Sequence, residues 1–126
     1  INGFFIKIIM FHLNKESSLE LIINLWITCR EFGEMSEIFY EWDDFEKDKF
    51  IHIINNTGHS GPNWKILYEI SGFLHLMKSD YEGALPIFQN LFDNNHKNTF
   101  TIKSLAGIYA KMGRMDEAAA LLTSIS

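Results

Sequence analysis

A strand-forming pattern is what this chain most lacks. No valine–threonine alternation runs along it, and its two prolines leave long stretches uninterrupted, so helices are the expected element. A single cysteine, Cys29, excludes an internal disulfide framework and fits a reducing compartment, which makes the cytoplasm the expected location. Basic excess is missing as well. Eleven Lys/Arg stand against sixteen Asp/Glu, for a net charge of −5, whereas a duplex nucleic-acid binder carries a basic face. No apolar run reaches the length of a membrane span. The longest, Phe4-Phe5-Ile6-Lys7-Ile8-Ile9-Met10-Phe11, is interrupted by Lys7, and neither the basic start nor the cleavage site of a signal peptide accompanies it. It reads as the first helix of the fold, or as a strand-like arm if nothing packs on it. Nucleic acid and membrane are therefore not expected partners. The chain begins at Ile1 instead of methionine, which reads as a processed or trimmed piece.

The chemistry of an enzyme is also missing. His12, His52, His59, His75 and His96 are not spaced with one another or with Cys29 on one helix face, so no metal site is expected. Asp43, Asp44, Glu46 and Asp48 lack the spacing and the glycine of a calcium loop. Cys29 has no placed base and lies on an apolar stripe, which makes it a core residue and not a nucleophile. There is no glycine-rich phosphate loop, and no cofactor is implied. Asn55-Asn56-Thr57 fits a glycosylation acceptor, with nothing else to indicate secretion. The reading is non-enzymatic.

What is present is a globular composition, 47% apolar and 21% charged over 126 residues, enough for one domain with its own core. Charge is uneven: residues 1–63 hold five Lys/Arg and ten Asp/Glu, while residues 64–126 hold six of each. Eight carboxylates between Glu31 and Asp48 face the single Lys47. That stretch reads as a solvated helix face and connector, or as a docking surface for a basic partner.

In order, Ser17 and Glu20 have capping-box spacing, and Leu21, Ile22, Leu25, Trp26, Cys29 and Phe32 then form an apolar stripe that Gly33 ends. A second helix is expected over Met35–Trp42, with Ile38, Phe39 and Trp42 on one side, and another at about Phe45–Ile54. Asn55 to Pro62 is a loop dense in turn formers. A helix follows from about Asn63 to Met77, with Pro62 near its unpartnered first turn. Ser79 and Glu82 repeat the capping-box spacing, and Pro86 predicts a kink or a late helix start. His75 is expected to fill a core position. After Asp93–Asn98, Thr99 is the expected cap of a helix reaching Met112, and Gly113 turns the chain into the last one.

Residues 65–126 contain one pattern twice, 34 positions apart. Gly72 falls opposite Ala106, Ala84 opposite Ala118, Phe88 opposite Leu122 and Tyr68 opposite Ile102. Such a fixed period is the signature of stacked helical hairpins. Leu105-Ala106-Gly107-Ile108-Tyr109 followed by Gly113-Arg114-Met115-Asp116-Glu117-Ala118 resembles a tetratricopeptide repeat, and Tyr68, Gly72, Ala84 and Phe88 resemble another. The first unit departs from the pattern at Ser71, His75 and Pro86, and His96 stands where a proline usually closes the unit. Gly33, Glu37-Ile38 and Trp42 mirror Gly113, Glu117-Ala118 and Leu122, so residues 1–63 read as degenerate N-terminal helices. Residues 64–98 and 99–126 are then the better-matched repeats of one domain, 1–126.

The resemblance implies an all-α fold of about seven or eight helices, whose antiparallel hairpins stack as a right-handed superhelix. It also implies an inner wall that holds a peptide or a helix. Carried over, Ile66, Glu69, Phe73, Leu76 and Met77 would lie on that wall in one unit, and Phe100, Lys103, Gly107 and Lys111 in the next. Gly107 stands where a carboxylate-gripping asparagine would be needed, so that mode is not expected. The wall is largely apolar and suits the greasy face of an amphipathic helix. Short acidic chains of three such hairpins also resemble the small chaperones of bacterial type III secretion. Two roles remain open: a protein-binding module or chaperone-like adaptor, or an architectural domain of a larger protein whose apolar residues pack internally. An RNA-binding helical repeat ranks below both, because it uses a 35-residue period and a basic surface. The last helix presents Ala118, Ala119, Leu121, Leu122 and Ile125 with nothing after it to cover them, which implies truncation, a partner, or self-association through that helix.

Overall fold

The computed structural model describes residues 15–57 and 61–125, with side chains described for 20–56 and 61–125. The expected first helix over residues 3–13 lies outside the described residues. Among the described residues there are seven helices and no strand. They are α1 (Lys15–Phe32), α2 (Met35–Ile38), α3 (Asp44–Thr57), α4 (Trp64–Met77), α5 (Tyr81–Asp93), α6 (Thr99–Lys111) and α7 (Met115–Thr123). The chain divides into two compact units, Ile1–Asn56 and Thr57–Ser126.

In the first unit, α1 begins two residues ahead of Ser17, so the expected cap lies inside the helix; Lys15 and Glu16 are themselves good helix formers. Its buried stripe is Ile22, Ile23, Trp26 and Cys29, while Leu21 and Phe32 are exposed. The stripe is thus rotated from the expected one by about one residue. Gly33, at φ 71°, turns the chain, and the Glu34 amide closes back on the Cys29 carbonyl at 2.8 Å. The expected Met35–Trp42 helix is a single turn, α2, followed by tight turns that still bring Ile38, Phe39 and Trp42 inward. Phe39 and Trp42 meet edge to face at 5.0 Å, and Trp42 lies 5.5 Å from Phe50 of α3. This aromatic knot is part of the buried core of the unit, with Ile22, Trp26 and Ile54. α3 starts with a reciprocal capping box: Asp43 Oδ1 accepts from the Glu46 amide, and Glu46 Oε1 from the Asp43 amide.

In the second unit consecutive helices pack on one another: α4 on α5, α5 on α6, and α6 on α7. The cap of α5 is Asp80, which accepts from the Gly83 amide, because Ser79 is taken by the turn at φ 57°. The cap of α6 is Asn98 and not Thr99, with its Oδ1 accepting from the Thr101 amide at 2.8 Å. An amide side chain is a better cap than a threonine hydroxyl. Pro86 lies inside α5, which starts at Tyr81 and continues through it. His75 is half-buried at the α4–α5 turn and bonds to Asp80, so it bridges the turn and does not fill the core.

The repeating small residues do close packing work. Gly72, Ala84, Ala106 and Ala118 are all buried. A Cβ on Gly72 would come within 2.7 Å of the Phe88 ring, so α4 and α5 approach as closely as a hydrogen atom permits. Ala84, Phe88 and Leu91 of α5 pack with Leu105, Ala106, Ile108 and Tyr109 of α6 and with Ala118 of α7 in one cluster. Tyr109 also donates its hydroxyl to Gln89 Oε1 at 2.6 Å.

Candidate functional site

The residues assigned to the inner wall separate into three environments. Ile66, Phe73, Leu76, Met77 and Phe100 are half-buried, each packed yet still presenting apolar surface. Phe73 on α4 and Phe100 on α6 come together with ring centroids 6.2 Å apart, and Phe100 also meets Phe88 at 5.7 Å. The aromatic pair therefore joins α4 to α6. Glu69, by contrast, is fully buried. Its Oε2 accepts from Asn98 Nδ2 at 2.7 Å and is paired with His96 Nε2. A buried carboxylate requires such partners, and here they tie the middle of α4 to the connector that starts α6. Glu69 is thus a fastening between hairpins, with no surface open to a ligand. Lys103 and Lys111 are exposed on α6.

Lys103 lies instead on the rim of a second feature. Ala106, Gly107 and Ala110 of α6 and Met115, Ala118 and Ala119 of α7 enclose an apolar groove of about 300 Å³, with Leu122 also lining it. Met115 and Leu122 are exposed at its edge. The sequence signal for this groove lies in the 34-residue offset itself, which places Gly107, Ala110 and Ala119 where the preceding hairpin has Phe73, Leu76 and Leu85. The Glu69–His96–Asn98 cluster had no comparable signal, because its members are separated by 27 and 29 residues along the chain.

Four described groups carry shifted acidities: the exposed pair Arg114 and Glu117, whose mutual hydrogen bonds raise the guanidinium and lower the carboxyl, and Asp80 and Cys29. Hydrogen bonds from His75 and the Gly83 amide hold the Asp80 carboxyl below its ordinary range. Burial pushes the Cys29 thiol up, with the carboxylates of Glu34 and Glu37 adding to the shift. A raised thiol pKa describes an inert core cysteine. Among the described residues no group of His, Cys, Asp and Glu could hold a metal ion, and no helix is long and apolar enough to cross a membrane.

Comparison with protein families, with curated proteins and with solved structures found no match to this chain.

Proposed function

We propose that the chain is a tetratricopeptide-like helical repeat acting as a protein-interaction module or chaperone-like adaptor. Its hairpins stack as a right-handed superhelix, and an apolar wall built on Ile66, Phe73, Leu76, Met77 and Phe100 receives the apolar face of a peptide or amphipathic helix. The observation that carries the reading is that five large apolar side chains on α4 and α6 stay half-exposed while Phe73 and Phe100 fix each other. A soluble domain usually covers such a concentration of apolar surface unless it binds something. The 34-residue period, the buried small residues and the consecutive packing of α4 to α7 support the repeat.

An architectural role in a larger protein is the second reading. The enclosure of Glu69 favours it, since the polar residue expected on the wall serves internal fastening instead. Co-expression with host proteins, followed by purification and mass measurement, separates the two. The binding module gives a defined complex that Phe73→Glu abolishes while the helical circular dichroism is unchanged. An architectural domain gives the bare chain in both cases.

A further inference from the structure

The two hairpins of the second unit differ in what lies on their open side, and the first shows how that side is filled. On α4–α5 it is filled by the start of α6. Asn98 caps that helix and bonds Glu69, and Phe100, its second residue, lies against Phe73 and Phe88. On α6–α7, 34 residues further on, the positions of Glu69, Phe73 and Phe88 are held by Lys103, Gly107 and Leu122. All three line the apolar groove. Its occupant must therefore bring a larger knob, because glycine has replaced phenylalanine, and a carboxylate, because lysine has replaced glutamate. The groove volume of about 300 Å³ exceeds the roughly 150 Å³ of a cavity that takes a benzene ring.

The chain itself carries a segment of that description. α3 is capped by Asp43, and its second residue, Phe45, is 73% exposed. Asp43-Asp44-Phe45 thus has the register of Asn98-Thr99-Phe100, with the amide cap replaced by a carboxylate. We propose that the start of α3 in one copy seats in the α6–α7 groove of another. Phe45 fills the space over Gly107, and Asp43 meets Lys103 as Asn98 meets Glu69. Beyond its first turn the outer face of α3 is polar (Asp48, Lys49, His52), so the contact is short and the association weak and concentration-dependent. The two surfaces differ, so joining is head to tail, into rings or open chains. This contact uses none of the apolar residues of the proposed peptide wall.

Light scattering on the full chain across a concentration series tests the proposal. The mean mass should rise with concentration. Phe45→Ala, which loses the knob, and Gly107→Phe, which fills the hole, should each stay monomeric with unchanged circular dichroism. Mixed together they should form a one-to-one dimer, because each retains the surface the other has lost. Phe73→Glu, which disables the wall, should leave self-association intact. A chain that is monomeric throughout, self-association that survives both variants, or a mixture that stays monomeric overturns the proposal. So does a groove occupied only by a different protein, recognised as a complex that Gly107→Phe blocks and Phe45→Ala does not.

Discussion

Two glycines one residue apart in repeat register have opposite roles. Gly72 has the Phe88 ring where a Cβ would stand, and Gly107 has nothing within 4 Å of that position. Gly72→Ala should therefore cost about 1–3 kcal/mol through overpacking. Gly107→Ala should gain up to about 1 kcal/mol, because alanine is the better helix former. Urea unfolding of the two variants reads both signs in one experiment. Thr101 offers a third test, since among the described residues its buried hydroxyl has no hydrogen-bond partner. Thr101→Val removes that hydroxyl and should raise stability by about 1 kcal/mol in the same assay. Such effects are illegible in sequence. The small residue at Gly72 follows from the repeat, but whether its neighbour leaves room for a methyl group depends on where Phe88 lies.

At the scale of elements, helix existence was legible and helix starts were less so. The apolar spacing of α4, α6 and α7 and the turn glycine Gly113 marked those elements correctly, because periodicity survives in any tertiary setting. Ser17, Ser79 and Thr99 all failed as caps. Ser17 lies inside α1, and at the other two starts an adjacent residue competed: Asp80 capped α5 and Asn98 capped α6. Capping residues cluster at helix starts, so sequence alone leaves a choice among neighbours. Asn98 has a double duty as the cap of α6 and a donor to buried Glu69. Asn98→Ala should therefore cost more than the roughly 1 kcal/mol of a cap alone, and Asn98→Ser, which preserves the cap, should recover part of the loss in a thermal melt. The α5 start predicts a pH effect. Asp80 has a lowered folded-state pKa, so its stabilisation is present above the ordinary carboxyl range, near pH 4, and is lost as pH falls through the folded value. The group is partly exposed, so the loss is on the order of 0.5 kcal/mol. Comparing acid unfolding of the chain with that of Asp80→Asn isolates it.

Across the whole molecule, the two units are held by different means. The second unit packs small residues against large ones from α4 to α7, whereas the first unit buries the Phe39–Trp42–Phe50 aromatic knot. The all-helical character followed from what the sequence lacks, and the helices of the second unit followed from their apolar spacing. The short α2 and the enclosure of Glu69 did not, because both depend on contacts between residues distant in the chain or on turn geometry. The proposed function lies at the same scale, in the half-exposed apolar side chains of α4 and α6. The most direct measurement of that claim is the mass of the chain purified after co-expression with host proteins, compared with Phe73→Glu. The account predicts a defined complex for the natural chain and the bare chain for the variant, with matching circular dichroism. A natural chain that emerges alone, or a complex that Phe73→Glu leaves intact, would contradict it.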